Sequence, residues 1–332
     1  EETSFELDLE VMLRILHESY AGSDYLPEGE FKLLAESISG IDFNADKNSL
    51  YIELSKVFSK VSDNHLKVWP CFADRNIHRN IGLSFPVGKN MAADDIVSVV
   101  EEDNILKIAL AKFPMPNEPH WEGFLDKIKS SLYKSELKGI ILDLRGNTGG
   151  NDHYGYEMAA LIFGGPFNHP ICSQAVLQTP LSFLAMSNTF YQRNEEYAQA
   201  FRDKYQFALE TEKADKYKIY EGEKDKTSLS ADCINKPLFI LIDPETKSSG
   251  ESTALCFEDH PQVQYVGQAT NGCIEFGNVG LFVLPHSKIC IQISTHKNIF
   301  RDQRAFEKNG IQPHHFCETG VDALEIVLEK LG

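Results

Sequence analysis

The amino-acid sequence predicts an α/β fold, in which a mostly parallel sheet carries helices on both sides and a small helical domain precedes it. Apolar residues in the first part of the chain recur at three- and four-residue steps, the spacing of amphipathic helices. Further on, short apolar strands alternate with helical patterns. Two of these strands, over residues 139–144 and 238–242, are almost continuously apolar, as in strands buried on both faces of a parallel sheet.

The N-terminal segment contains three predicted helices. The first has one apolar stripe, formed by Phe5, Leu9, Met12, Leu13 and Leu16. The second is predicted over residues 31–38 and the third over residues 50–61, with capping residues such as Asp46 before it. The sequence therefore predicts a helical cap domain over residues 1–70 and an α/β core over residues 71–332.

The predicted core alternates strands and helices. A strand is expected over residues 104–113, and helices are expected over residues 121–133, 156–163 and 248–257. Residues 190–232 break this alternation, because they are rich in charged and polar side chains. This stretch is predicted to be a polar insertion, either a solvated helix and loop or a lid over the site.

Composition excludes some classes of partner. The chain has 49 acidic and 32 basic residues, a net charge of −17. A surface with this excess of negative charge repels phosphate backbones and anionic lipids. We therefore expect neither a nucleic-acid partner nor insertion into a membrane. The first residue is not Met, which is consistent with a trimmed product that has lost an export signal. The seven cysteines show no CxxC spacing, and Cys256, Cys273 and Cys290 lie in apolar stretches that favour small buried residues over disulfide partners.

Two strand ends carry the candidate chemistry, because open α/β sheets bind ligands at the carboxyl ends of their strands. After the first strand comes a glycine-rich turn with Gly149 and Gly150, whose backbone N–H groups suit a phosphate or a developing oxyanion. After the second strand, Ser248 lies where a helix begins. A serine in that position is either a helix cap or a nucleophile.

The two segments, Asp-Leu-Arg-Gly-Asn-x-Gly-Gly and Thr-x-Ser-x-x-Glu, together resemble the tail-specific (C-terminal processing) protease family and its relative, the tricorn protease core. Three further motifs follow the family order: Ser62-Asp-Asn-His65, Tyr265-Val-Gly-Gln-Ala-Thr-Asn-Gly272 and Phe306-Glu-Lys-Asn-Gly-Ile-Gln-Pro313. The resemblance implies a crotonase-like core and a serine peptidase acting on a peptide or protein, without metal or cofactor. It also implies a periplasmic or secreted location.

The resemblance assigns roles to single residues. Ser248 would be the nucleophile, and a slip of one residue would move that role to Ser249. The oxyanion would be held by the backbone N–H groups of Ser249 and of Gly149 or Gly150. Many members use a Ser–Lys dyad, but Cys273 occupies the lysine position and no Lys or Arg occurs between residues 247 and 288.

The tricorn-like branch uses a histidine as the base, oriented through side chains that include a glutamate. His65 and Glu307 match those two positions. The family's closing aspartate is replaced by His314, whose neighbour is His315; adjacent histidines on an extended chain point to opposite faces, so a metal site there is not favoured. The sequence leaves no room for a PDZ domain. The main alternative is a non-catalytic lipid- or small-ligand-binding module of the same fold.

Overall fold

The computed structural model describes residues 5–70, 97–113, 120–191, 194–211, 215–222, 230 and 232–332. The helices in these ranges are α1 (Glu6–Ser19), α2 (Gly22–Tyr25), α3 (Glu30–Ser39), α4 (Lys47–Phe58), α5 (His120–Leu132), α6 (His153–Phe163), α7 (Pro180–Phe190), α8 (Glu195–Glu210), α9 (Ser249–Leu255) and α10 (Ala323–Leu331). The strands are β1 (Lys67–Trp69), β2 (Val97–Glu102), β3 (Ile105–Leu110), β4 (Gly139–Asp143), β5 (Ile171–Leu177), β6 (Tyr217–Glu221), β7 (Leu238–Ile242), β8 (Val263–Gly267), β9 (Phe276–Val283), β10 (Cys290–Phe300) and β11 (His315–Phe316).

The chain forms two compact units, each assembled from separate segments. The first unit comprises Glu1–Ser84, Ser173–Gly222 and Glu275–Ile299, and the second comprises Phe85–Cys172, Glu223–Ile274 and Phe300–Gly332. The sequence predicted a single boundary at residue 70. One boundary cannot describe these units, because each unit consists of three segments that are distant in the sequence.

The first unit packs the N-terminal helices on a five-stranded sheet of order β1-β10-β5-β6, with β9 also paired to β10. Apolar residues of α1, α3 and α4 share one core with Ile291 and Ile293 of β10. The helices form where predicted, and the Asp46 carboxylate caps α4 by accepting from the backbone N–H groups of Asn48 and Ser49. The antiparallel pairing of β9 with β10 and of β6 with β5 was not predicted.

The polar stretch at residues 190–232 contributes regular structure to this unit. Its helix α8 contacts α7, and β6 is an edge strand beside β5. The prediction of a solvated helix is consistent with α8, where Ala198 is the buried residue. The predicted loop is wrong at β6, because this segment pairs antiparallel with β5. Residues 192–193, 212–214, 223–229 and 231 lie outside the described residues.

The second unit is built on a six-stranded sheet of order β11-β8-β7-β4-β3-β2. The pairs from β3 to β11 are parallel, and β2 is antiparallel to β3. Side chains alternate between two cores: Ile140 and Leu142 pack with residues of α5, α6 and α9, whereas Ile141 packs with residues of α10. The prediction of a mostly parallel sheet with helices on both faces therefore describes this unit, and the protein as a whole is a mixed α/β structure.

Candidate active site

The candidate site lies at the carboxyl ends of β4 and β7, which are neighbouring parallel strands. We call residues 145–152 the glycine turn and residues 243–249 the serine turn. They are joined beyond the strands: the backbone N–H of Gly146 donates to the Asp243 carboxylate at 3.0 Å, and the N–H of Lys247 donates to the Asn147 carbonyl at 2.9 Å. The sheet thus brings together the glycine turn and the serine turn, the two segments in which the sequence predicts the chemistry.

Gly149 makes the closest approach between the two turns. A β-carbon built at this position would lie 2.8 Å from the Ser248 Cβ and 3.1 Å from the Ser249 backbone nitrogen. Its φ of 95° is also one that residues with a β-carbon rarely adopt. The absence of a side chain therefore allows the glycine turn to contact the backbone around Ser248.

Ser248 has an unusual backbone conformation, with φ 54° and ψ −123°. A positive φ in a residue other than glycine stores conformational strain, and such residues cluster at functional sites. Ser248 is half-buried, whereas Ser249 is the first residue of α9, is buried, and donates its hydroxyl to the Gly150 carbonyl at 2.9 Å. Ser248 thus has the strained backbone and the greater exposure, whereas Ser249 is buried and its hydroxyl is bonded to the glycine turn.

Glu251 fixes the backbone of Ser248 from inside the protein. Its fully buried carboxylate accepts hydrogen bonds from the Thr270 hydroxyl and from the backbone N–H groups of Ser248, Gly272 and Cys273, at 2.5–3.1 Å. Burial raises the pKa of this carboxyl group, against the opposing effect of its donors. In the sequence Glu251 is the last residue of the Thr-x-Ser-x-x-Glu motif, and no role was predicted for it. The Ser-x-x-Glu spacing, which is that of a capping box, was the signal for this supporting role.

Asn147 plays a comparable part in the glycine turn. It is fully buried; its Nδ2 donates to the Leu110 carbonyl at 2.7 Å and its Oδ1 accepts from the Gly149 N–H at 2.9 Å. The Gly149 N–H is therefore engaged. Among the described residues, the hydrogen bonds of the site leave the N–H groups of Gly150 and Ser249 without a partner. These two groups can donate to an added oxygen atom.

Glu307 belongs to the same unit and is 9% exposed. Its turn is joined to the segment that binds Glu251: the Lys308 N–H donates to the Gly272 carbonyl at 2.8 Å. The Thr270 hydroxyl, which donates to Glu251, also accepts from the Ile311 N–H at 2.7 Å. Continuous hydrogen bonding thus links the loop that carries Glu307 to the support of Ser248.

His65 belongs to the first unit, immediately before β1. Its backbone is held from both sides, since its N–H donates to the buried Asp63 carboxylate at 2.7 Å and its carbonyl accepts from Gln292 Nε2 at 2.7 Å. Its imidazole is half-buried. All the other candidate residues lie in the second unit.

The remaining predicted residues have structural environments. Cys256, Cys273 and Cys290 are buried, as predicted, and the six cysteines in the described ranges form no disulfide. His314 Nδ1 accepts from the Tyr265 N–H at 3.0 Å, whereas the His315 ring contacts Gln264 at 2.9 Å. Within the described ranges, no group of three or more His, Cys, Asp or Glu side chains could hold a metal ion. No helix in the same ranges is both long and apolar enough to span a bilayer.

Comparison with known proteins agrees with the fold and the motifs. The nisin-resistance protein of Lactococcus lactis subsp. lactis is 28% identical over 171 residues, which are 52% of this chain and 44% of that protein. The chain thus matches less than half the length of this curated relative. The photosystem II D1 C-terminal processing protease superposes with a TM-score of 0.54 at 14% identity, covering 99% of this chain and 98% of that one. A lipoprotein from Streptococcus agalactiae superposes with a TM-score of 0.53 at 16% identity, covering 99% and 96%.

The two structures share the fold of this chain. The family itself is shown by residues 104–316, which match the model of peptidase family S41 and make up more than half of the sequence. The predicted relationship to the tail-specific proteases is confirmed: the chain belongs to peptidase family S41.

Proposed function

We propose that this protein is a serine peptidase that hydrolyses peptide bonds in peptide or protein substrates through an acyl-enzyme on Ser248. One observation carries the proposal. Ser248 is held at a strained φ of 54° beside the two N–H groups, of Gly150 and Ser249, that have no partner among the described residues. A strained nucleophile next to paired backbone donors is the arrangement that acyl transfer requires.

In the proposed reaction the Ser248 hydroxyl attacks the carbonyl carbon of the substrate while His65 takes its proton. The carbonyl oxygen becomes an oxyanion, which accepts hydrogen bonds from the Gly150 and Ser249 N–H groups. His65 returns the proton to the departing amine, which leaves the acyl group as an ester on Ser248. Water, deprotonated by His65, then attacks this ester and releases the carboxylic acid and the free serine.

The assignment of His65 as the base rests on the family motif and on the lack of a lysine at the dyad position. Cys273 occupies the position of the dyad lysine, and its N–H donates to Glu251 at 2.8 Å. An imidazole has a near-neutral pKa that suits proton transfer at physiological pH. Glu307, on the loop linked to Thr270, would orient the imidazole through the interactions that the tricorn-like branch uses.

Three finer points belong to the same proposal. The parallel sheet of the second unit, with helices on both faces, supports a crotonase-like core, and helices α1–α4 would be the family's cap domain. The relatives include a lipoprotein and a nisin-resistance protein, which supports a location in the cell envelope or outside the cell. A non-catalytic ligand-binding module is not favoured, because such a pocket needs neither a strained serine nor two free backbone donors.

Labelling with a fluorophosphonate tests the proposal without knowledge of the substrate. We expect mass spectrometry to find the phosphonyl group on Ser248, and we expect no labelling of Ser248→Ala and very slow labelling of His65→Ala. Ser249→Ala is the matched serine variant and should still be labelled, more slowly, because Ser249 Oγ only holds the Gly150 carbonyl. Folded wild-type protein that resists the reagent from mildly acidic to mildly basic pH would contradict the proposal.

A further inference from the structure

A carboxylate and two hydroxyl groups form a closed cluster beside the candidate site, in the second unit. Asp152 Oδ2 accepts from the Tyr156 hydroxyl at 3.0 Å and from the Ser252 hydroxyl at 3.2 Å, and the two hydroxyl oxygens are 3.2 Å apart. Asp152 ends the glycine turn, Tyr156 lies on α6 and Ser252 lies on α9. We propose that this cluster is a positioning device, which sets the spacing of the Gly150 and Ser249 N–H groups for acylation. The inference rests on the proposed function.

The Asp152 side chain does not cap its own helix, although its position is one where an aspartate ordinarily does. Asp152 is the N-cap residue of α6, yet its side chain makes no capping hydrogen bond. An N-cap aspartate typically accepts from the N–H groups of its own helix. Here the His153 N–H donates to Asn151 Oδ1 at 3.2 Å, and the Asp152 carboxylate instead joins α6 to α9. Asp152 therefore does not stabilise the N-terminus of α6, and its carboxylate links α6 to α9.

The cluster completes a series of three hydrogen bonds between residues 147–152 of the glycine turn and residues 247–252, the segment that contains Ser248. The first joins the Lys247 N–H to the Asn147 carbonyl at 2.9 Å, and the second joins Ser249 Oγ to the Gly150 carbonyl at 2.9 Å. The third joins Ser252 Oγ to Asp152 at 3.2 Å. The two free N–H groups lie between the first and the third of these bonds. Their separation is therefore fixed from both ends.

Close packing next to the cluster makes the spacing sensitive to it. A β-carbon at Gly155 of α6 would lie 2.1 Å from Thr253 Oγ1 of α9, so the Thr253 side chain packs directly on the backbone of α6. Ser252 is 3% exposed, and its backbone carbonyl also lies 3.0 Å from His169 Nε2. Because the helices meet so closely, loss of the Ser252 hydroxyl is expected to let α9 rotate or slide against α6. Misplacement of catalytic groups by about 1 Å can cost ~100-fold in rate.

The test measures the rate of fluorophosphonate labelling over reagent concentrations from well below to well above saturation. This range separates the affinity for the reagent, KI, from the maximal rate of phosphonylation, kinact. The test variants are Ser252→Ala and Tyr156→Phe, each of which removes one hydroxyl group of the cluster. Tyr265→Phe is the control, because it removes a buried tyrosine hydroxyl that donates to the Ala254 carbonyl of α9 at 2.9 Å but lies outside the cluster. Thermal unfolding of every variant is recorded in parallel.

We expect Ser252→Ala to lower kinact by roughly 10-fold, and Tyr156→Phe by less, with KI within about twofold of wild type. Tyr265→Phe should keep the wild-type kinact. In a double-mutant cycle, Asp152→Asn and Ser252→Ala should be non-additive, since they act on one hydrogen bond.

If wild type is labelled but Ser252→Ala keeps the wild-type kinact, or Tyr265→Phe lowers kinact equally, the positioning role is overturned. The proposed function is unaffected by either result. A change confined to KI would also overturn the positioning role. Unlabelled wild type would contradict the proposed function, and the inference with it.

Discussion

The backbone of Gly149 packs against the Ser248 side chain: a β-carbon at position 149 would lie 2.8 Å from the Ser248 Cβ, closer than non-bonded carbon atoms approach one another. This contact joins the end of β4 to the end of β7 at the residue proposed as the nucleophile. It explains why a glycine is needed there, in addition to the positive φ of 95°. Any side chain at position 149 has to displace the serine turn.

The first prediction uses this contact. We expect Gly149→Ala to fold but to lose at least ~100-fold in the rate of fluorophosphonate labelling, because the new methyl group displaces Ser248. Gly320→Ala is the matched control: Gly320 has φ 92° and no atom within 4 Å of a built β-carbon. Both variants carry a similar backbone strain of about 1 kcal/mol. Equal labelling of the two variants would show that the contact does not matter for reactivity.

A second prediction concerns Glu251→Gln. Each carboxylate oxygen of Glu251 accepts from two donors. An amide nitrogen in either position therefore faces at least one backbone N–H group, which can only donate. We expect the free energy of unfolding to fall by about 1–3 kcal/mol and labelling of Ser248 to slow by roughly 10-fold or more. Urea unfolding and labelling rates measure both effects. Glu245→Gln, in the same serine turn, should change neither, and a similar loss there would contradict the explanation.

The sequence predicted those parts of the fold whose signals are local. The apolar stripe of α1 and the Asp46 cap of α4 depend on residues three or four apart, so they can be recognised without the rest of the chain. The apolar runs of β4 and β7 were recognised because both faces of their sheet are covered.

The antiparallel sheet was missed for a physical reason. In β10, Ile291 and Ile293 face the helical core, whereas the intervening side chains include Gln292, Ser294 and His296, which are buried and polar. A strand whose buried faces differ so much in polarity gives no continuous apolar run. The partner strands β1 and β5 come from distant parts of the chain, so no short-range pattern predicts their pairing with β10.

The candidate site was predictable as far as its motifs reach. Ser248 and the glycine turn were found by their place after apolar strands. The roles of Asn147 and Glu251 were not found, because each depends on donors and acceptors that folding brings in, such as the Leu110 carbonyl and the Thr270 hydroxyl. Polar side chains that are buried need partners, and only the tertiary structure supplies their identity.

A third prediction concerns Asn147→Asp, a change of almost no volume. The introduced carboxylate faces the Leu110 carbonyl, to which Asn147 Nδ2 donates at 2.7 Å, so an attractive contact becomes repulsive. We expect a loss of about 1–3 kcal/mol in the free energy of unfolding at neutral pH. Acid should recover part of this loss, because a protonated carboxyl group can donate again. Asn271→Asp is the control; its Nδ2 also donates to a backbone carbonyl, that of Pro244 at 3.2 Å, but at an exposed site where water can replace the bond.

The fourth prediction concerns the pH dependence of stability and the buried His296 of β10. Burial lowers the pKa of His296 to about 4, from an ordinary value of 6.5. The unfolded chain therefore takes up a proton near pH 6.5 that the folded chain resists until about pH 4. The stabilisation from keeping this ring neutral is present above pH 6.5 and is lost as the pH falls towards 4. Each unit of the difference corresponds to about 1.4 kcal/mol.

Urea unfolding of wild type and of His296→Gln at pH 7.5 and at pH 5 measures this effect. His296→Gln should be the less stable protein at pH 7.5, because the ring packs closely against Gly277, where a β-carbon would lie 2.9 Å from His296 Nε2. The difference between the two proteins should shrink by roughly 2 kcal/mol at pH 5, since only wild type carries the cost of the neutral ring. Burial also lowers the pKa of His169 and of His260, so both proteins should still lose stability in acid. The exposed His286→Gln should follow wild type at both pH values. A constant difference between wild type and His296→Gln would mean that His296 titrates alike in the folded and unfolded chains, and that the acid sensitivity of the protein comes from other groups.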